Sequence, residues 1–229
     1  MNLLALDTST EHLSLALMVG GKTLTFEVNA GQTHSQLILP QIQALLSAAN
    51  LRLANLDGLA FGAGPGSFTG VRIAAGVAQG LGFGANLPVA GVCTLLALAE
   101  ESGASKVIAC LDARMGEVYH AAYEKVETQW QAVIAPGLYK PEAAPVLQGK
   151  DWVGVGSGWQ SYGPQLNIIY DDQLLDVEGA LLPTASAILR LALPRFSSGD
   201  PLLASAALPI YIRNRVALKT AERELGMRL

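Results

Sequence analysis

LLALDTSTEHLSLAL (residues 3–17) and IACLDARMGEVYHAA (residues 108–122) have the same plan. Each begins as a short apolar run, reaches a leucine followed by an aspartate (Asp7, Asp112), passes through a polar turn, and resumes six residues later with a branched apolar side chain (Leu13, Val118). An apolar run, a polar turn and a second alternating run predict two strands joined by a tight connection. Recurrence of one unit deep inside a chain predicts two similar α/β halves, residues 1–102 and 103–229, each a mixed sheet flanked by helices.

The first half fills in readily. Lys22 to Val28 alternates as a third strand, and Thr33 to Asn50 carries Ile38, Ile42, Leu45, Leu46 and Ala49 at helical spacing. Pro40 lies inside that pattern, so a kink or a late start is expected. Leu56 to Gly62 reads as a buried strand that runs into the turn GPGSFTG (residues 64–70). Ser67 or Thr69 is placed to cap a helix over Val71 to Phe83. Leu87 to Val92 then reads as a strand and Thr94 to Glu101 as a helix. In the second half, Trp130 to Pro145 carries Pro and Gly and is expected to be loop-rich. Trp152 to Val155 reads as a strand leading into GSGW, Thr184 to Leu193 as a helix, and Ile210 to Ile212 as a short strand.

Composition narrows the class. The 229 residues are 51% hydrophobic and 15% charged, with a net charge of -4, which excludes a disordered chain. It also argues against a protein that binds nucleic acid mainly by neutralising phosphates. Only residues 190–229 collect basic charge, and such a tail reads as a solvated surface. From Gly58 to Ala99 the sole charged side chain is Arg72, and ten of the 24 glycines lie there. Pro65, Gly66, Gln79, Asn86 and Pro88 break this run into pieces unsuited to spanning a bilayer. The N-terminus lacks the basic region and cleavage site of a signal peptide, and two cysteines, Cys93 and Cys110, make no disulfide framework. A soluble, cytoplasmic protein is expected.

Familiar catalytic constellations are missing. His12, His34 and His120 form no paired metal motif, and GPGSFTG has neither the lysine of a phosphate-binding loop nor the order of a serine nucleophile elbow. GVGSGW (residues 154–159) departs from a dinucleotide fingerprint at Trp159. His34 beside Ser35 offers a base, but a lone histidine at a helix start reads first as a capping or solvent-exposed residue. Asp7 and Asp112 stand at strand ends, where they either orient a metal-bound water or phosphate-bound cation across a cleft or cap their own turns.

The helix after GPGSFTG has two unlike faces. Arg72, Gly76, Gly80 and Gly84 recur every four residues on one side, while Val71, Ala74, Ala75, Ala78 and Leu81 serve the core on the other. Three interior glycines cost about 1 kcal/mol each relative to alanine. Such a stripe is expected where another backbone must come close, either within the domain or across an interface with a partner.

The opening LLALDTST, the helix THSQLILPQIQALL, GPGSFTGVRIAAGVAQGL, CLDARMGEVY and PIYIRNRVA together resemble the TsaB (YeaZ) family of bacterial proteins in the threonylcarbamoyladenosine (t6A) pathway of tRNA modification. The resemblance spans essentially the whole chain. It implies a duplicated actin-like (ASKHA, ribonuclease H-like) fold and a non-catalytic scaffold that supports TsaD, the catalytic subunit. TsaD carries an HxxxH metal motif whose histidines fall at Thr94 and Leu98 here, and neither residue binds a metal. The resemblance implies no catalytic, cofactor-binding or metal residue in this chain, although the complex uses ATP and threonylcarbamoyl-AMP to modify adenosine 37 of tRNAs that read codons starting with A. It implies a partner face of Leu37, Leu45, Arg72, Ile73, Gly76, Gly80 and Gly84, used for TsaD or, without it, for a homodimer. TsaE joins as a third protein, and tRNA is met through the complex. The alternative is an actin-like ATPase or small-molecule kinase using Asp7 and Asp112, yet Thr8, Ser9 and Thr10 stand where such enzymes place glycine close to a phosphate. A peptidase reading has no nucleophile and base pair behind it.

Overall fold

The computed structural model describes residues 1–198 and 203–213. The first sheet contains β1 (Leu3–Asp7), β2 (His12–Val19), β3 (Lys22–Asn29), β4 (Gly58–Gly64) and β5 (Val89–Cys93), in the order β3-β2-β1-β4-β5. The second contains β6 (Lys106–Arg114), β7 (Glu117–Val126), β8 (Gln129–Tyr139), β9 (Trp152–Val155) and β10 (Leu174–Glu178), in the order β10-β9-β6-β7-β8. Substituting each strand of the second set for its counterpart gives the same topology. In both sheets the first three strands form an antiparallel meander, and the next two add in parallel beside the first. Two five-stranded mixed sheets flanked by helices make a duplicated actin-like fold.

Five helices complete the layers: α1 (His34–Ala48), α2 (Phe68–Ala85), α3 (Thr94–Ser102), α4 (Ser157–Tyr170) and α5 (Ala185–Ser198). The parallel strands explain where α2 and α4 sit, because each is the crossover that a parallel pair requires. The last helix of each set packs against the sheet of the other set. Ala185, Ile188, Leu189 and Ala192 of α5 bury against Leu3, Ala5, Ala16 and Ala60 of the first sheet, while Leu95, Leu98 and Ala99 of α3 bury against Val107, Ala109 and Ala121 of the second. Glu100 and Glu101 of α3 lock this exchange. Glu100 accepts from Lys125 Nζ (2.9 Å), Trp130 Nε1 (2.8 Å) and Arg190 Nε (2.8 Å), and Glu101 from Arg190 Nη2 (3.1 Å) and Thr184 Oγ1 (2.7 Å).

Several elements differ from the sequence reading. α1 runs through Pro40 from His34 without a late start, because Pro40 lies on the exposed side, where the carbonyl it leaves unpaired meets water. Residues 130–139 are strand β8 rather than loop: β8 is an edge strand, Gly137 pairs with His120, and the register shift between His120 and Ala122 absorbs Pro136. Two elements lay outside the reading, α4 and β10. α4 carries Gly163 and Pro164 and has a kink at Tyr162 (φ -133°), which breaks its apolar period. Residues 210–212 are not a strand; Ile210 N–H donates one bond to Ala63 O (2.7 Å) beside the end of β4. Much of the basic tail, residues 214–229, lies outside the described residues. Among the described residues no helix is long and apolar enough to cross a membrane.

The fold depends on close backbone contact at the start of α2. A Cβ placed on Gly70 would lie 1.8 Å from Thr8 O, and one on Gly66 would lie 2.4 Å from Ser9 O. Gly70→Ala is therefore expected to lower unfolding free energy by about 3 kcal/mol. Gly76→Ala, with nothing within 4 Å of the added methyl, should raise it by up to about 1 kcal/mol. Urea denaturation of the two variants checks the contrast.

Candidate functional site: the glycine face of α2 and the interlobe cleft

α2 starts where Ser67 Oγ accepts from Gly70 N–H (3.3 Å) and ends at Asn86, whose left-handed conformation (φ 52°) closes the last turn. Thr69, the other candidate cap, is exposed within the first turn. Ser67 N–H donates to Ser9 O (2.7 Å) and Thr8 Oγ1 donates to Gly70 O (2.7 Å), so the β1–β2 turn orients the helix. Val71, Ala74, Ala75 and Ala78 are buried in the first core, while Leu81 is half-buried at its margin. Gly82 also faces inward, where an added Cβ would meet Val89 and Ala204.

The opposite face is open. Arg72, Gly76, Gly80 and Gly84 are exposed, and nothing stands within 4 Å of a Cβ on any of the three glycines. Ile73 beside them is half-buried, as are Leu37 and Leu45 of α1, and all three pack against the first core while keeping part of their surface in water. Phe83, expected from sequence only as the end of the helix, is 65% exposed next to the stripe. Its position three residues after Gly80 was the available signal. The result is a face without charge beyond Arg72. The Arg72 guanidinium donates to Phe68 O (2.7 Å) and lies over the rings of Phe68 (3.4 Å to the centroid) and Tyr211 (4.7 Å). Such stacking holds the cation at the rim of the face.

A cleft of about 1140 Å³ separates the lobes beyond that rim, with walls that include Ser9, His34, Ser67, Asp112, Ser157 and Tyr211. Asp7 and Asp112 both cap their own turns, and of the two only Asp112 lines the cleft. Asp7 Oδ1 accepts from Ser9 N–H (3.0 Å) and Ser9 Oγ (2.8 Å); Asp112 Oδ1 accepts from Arg114 N–H (2.8 Å). Asp7 is 1% exposed, its Oδ2 has no hydrogen-bond partner, and burial pushes its pKa up to about 6 against the opposing pull of the Ser9 bonds. His34 departs from the expected surface role: it is 5% exposed, with Nε2 unpartnered, while neighbouring Ser35 is exposed. Thr94 is fully buried and donates to Pro65 O, and Leu98 is in the second core. Trp159 turns its indole over Gly154, 2.5 Å from where a Cβ would stand, and donates Nε1–H to Ile108 O (3.0 Å). The glycines of GVGSGW thus accommodate the chain's own atoms, Gly154 the indole of Trp159 and Gly156 and Gly158 the backbone at Cys110. Among the described residues no group of three or more His, Cys, Asp or Glu is arranged to hold a metal.

Comparison with known proteins identifies the lineage. The family model described as "TsaD: tRNA N6-adenosine threonylcarbamoyltransferase" matches residues 28–153. The tRNA threonylcarbamoyladenosine biosynthesis protein TsaB of Escherichia coli is 42% identical, with 96% of this chain and 97% of that protein covered. The chain belongs to the TsaB family. Haemophilus influenzae TsaB is 40% identical over 96% of both chains. A solved structure of YeaZ from Pseudomonas aeruginosa superposes with a TM-score of 0.82 at 38% identity, covering 92% of this chain and 99% of that one. A second, titled as an uncharacterized Pseudomonas aeruginosa protein with similarity to peptidase YeaZ, superposes at 0.86 and 38% identity, covering 93% and 99%. The duplicated sheets and the open α2 face are thus features of a TsaB-family chain.

The folded chain holds the Asp7 proton more tightly than the unfolded chain does, so unfolding releases it between about pH 4 and pH 6, and stability falls as pH rises through that window. The shift corresponds to about 3 kcal/mol. Asp7→Asn, which keeps an oxygen acceptor for Ser9, should remove this pH dependence and be the more stable form at pH 7. Urea unfolding measured from pH 4 to pH 7 reads both effects.

Proposed function

We propose that this chain is a non-catalytic scaffold subunit required for t6A formation at adenosine 37 of tRNAs reading codons that start with A, and that it acts by binding and supporting a TsaD-type catalytic subunit. The observation that carries this reading is the exposed, uncharged face of Gly76, Gly80 and Gly84 on a helix whose other side is buried in the core. Interior helical glycines with open space above them do nothing for the monomer. With Ile73 and Phe83 on the same helix, and Leu37 and Leu45 of α1 half-exposed over the same core, they offer an apolar strip that a partner helix approaches closely, with Arg72 at its polar edge.

The same face serves a homodimer when the catalytic partner is absent, because both uses bury the same strip. TsaE joins the assembly as a further subunit, tRNA is met through the complex, and ATP and threonylcarbamoyl-AMP are handled by the partners in the cytoplasm. The names of the TsaB relatives support the pathway. The non-catalytic role is supported by Thr94 and Leu98 serving as packing residues and by Asp7 engaging its own turn. It is supported also by the indole over Gly154. His34 and Ser35 differ too much in exposure to act as a base and nucleophile pair.

Gly80→Arg should weaken pairing with TsaD by about 100-fold, since it puts an unpaired charge at the centre of an apolar contact. The monomer should stay within about 0.5 kcal/mol of the parent. Size-exclusion chromatography of the mixed proteins reads the first, thermal unfolding the second, and an intact heterodimer overturns the reading. With ATP and threonylcarbamoyl-AMP present, the purified chain alone should form no t6A on unmodified tRNA, and transfer of the threonylcarbamoyl group to adenosine 37, with release of AMP, should appear only when TsaD and TsaE are also supplied.

A further inference from the structure

The last described segment, residues 203–213, crosses from one lobe to the other. Ala204 and Ala207 are buried in the first core, and Ile210 N–H donates to Ala63 O (2.7 Å) at the end of β4. Tyr211 lays its ring against the Arg72 guanidinium. Arg213 then reaches the second lobe: Nη2 donates to Glu117 Oε2 (2.5 Å) and Arg114 O (3.4 Å), and Nη1 contacts Met115 Sδ (3.0 Å). Its side chain is 11% exposed and that of Glu117 32%, so the cation is shielded from solvent while the carboxylate stays partly in water.

The turn that Arg213 grips is unusual. Arg114 (φ 63°), Met115 (φ 58°) and Gly116 (φ 73°) are three consecutive left-handed residues, two of them bearing side chains that disfavour that conformation. A strained turn persists where its surroundings over-determine it. Ile210 to Arg213 also line the interlobe cleft, together with Asp112 to Arg114 on one wall and Pro65 to Ile73 on the other. One segment therefore touches the end of β4, the rim of the α2 face and the strained turn across the gap.

We propose that residues 203–213 form a clasp that holds the two lobes together across the cleft, with Arg213 on the strained 114–117 turn as its releasable catch. Letting go of Glu117 frees the turn to relax and separates the cleft walls. This inference concerns the chain alone and stands independently of the scaffold reading.

Hydrogen exchange of the full chain tests it, comparing the parent with Glu117→Gln, Arg213→Met and the charge-exchanged pair Glu117→Arg with Arg213→Glu. The clasp requires exchange to rise at least about 10-fold in both single variants, at the turn (residues 112–118) and on the facing walls (residues 66–70 and 157–158). The β1–β3 meander should stay protected, and the exchanged pair should return all three regions toward parental rates. Faster exchange confined to residues 112–118 would make the contact local and overturn the proposal, as would unchanged exchange or failure of the exchanged pair to restore protection.

Discussion

The structure turns on how closely α2 lies against the β1–β2 turn. Thr8 O and Ser9 O occupy the space where side chains at Gly70 and Gly66 would begin, and Ser67 N–H and Thr8 Oγ1 bond across the same gap. With this contact made, the helix has one rotational setting. Val71, Ala74 and Ala78 go into the core, and Gly76, Gly80 and Gly84 face outward. The glycines of this region thus do two separate jobs. Gly66, Gly70 and Gly82 admit the chain's own atoms, whereas the outer three face open space.

The second constraint is the exchange of α3 and α5 between sheets. Because each helix covers the other half's sheet, the lobes are joined through packed apolar surface, fastened by the Glu100 and Glu101 network to Lys125, Trp130 and Arg190. Burial raises the Glu100 pKa, but its bonds to Trp130, Lys125 and Arg190 outweigh that and hold the carboxylate below its ordinary range. The cleft is lined by neither Glu100 nor Glu101, and the C-terminal segment spans it from Ile210 to Arg213. Asp7 and Asp112 cap their own turns, Trp159 lies over Gly154, and the exposed stripe of α2 carries no charged side chain beyond Arg72.

What could be read from residues alone followed local periodicity. The repeated leucine and aspartate before a turn located the duplicated meander, and it persists down to the side chains, since Asp7 and Asp112 each accept from the backbone N–H two residues on. The four-residue spacing of Arg72, Gly76, Gly80 and Gly84 placed them on one face without any coordinates. Where tertiary context decides, the signal vanished. β8 conceals a proline in edge-strand bulges, α4 interrupts its period with Gly163 and Pro164, and β10 is a strand of which only one edge is paired. His34 seemed a surface residue because its burial comes from elements distant in sequence, as does the contact of Tyr211 with Arg72.

Two exposed apolar side chains test the proposed partner face against another part of the surface: Phe83 (65% exposed) beside the α2 stripe and Ile168 (84% exposed) on α4. Replacing each in turn with a photo-crosslinking amino acid and irradiating the chain with TsaD measures where the partner sits. Abundant adducts from position 83 and background levels from position 168 are the expected result. Adducts from position 168 with none from position 83 would contradict the account, because the glycine face would then be free in the complex.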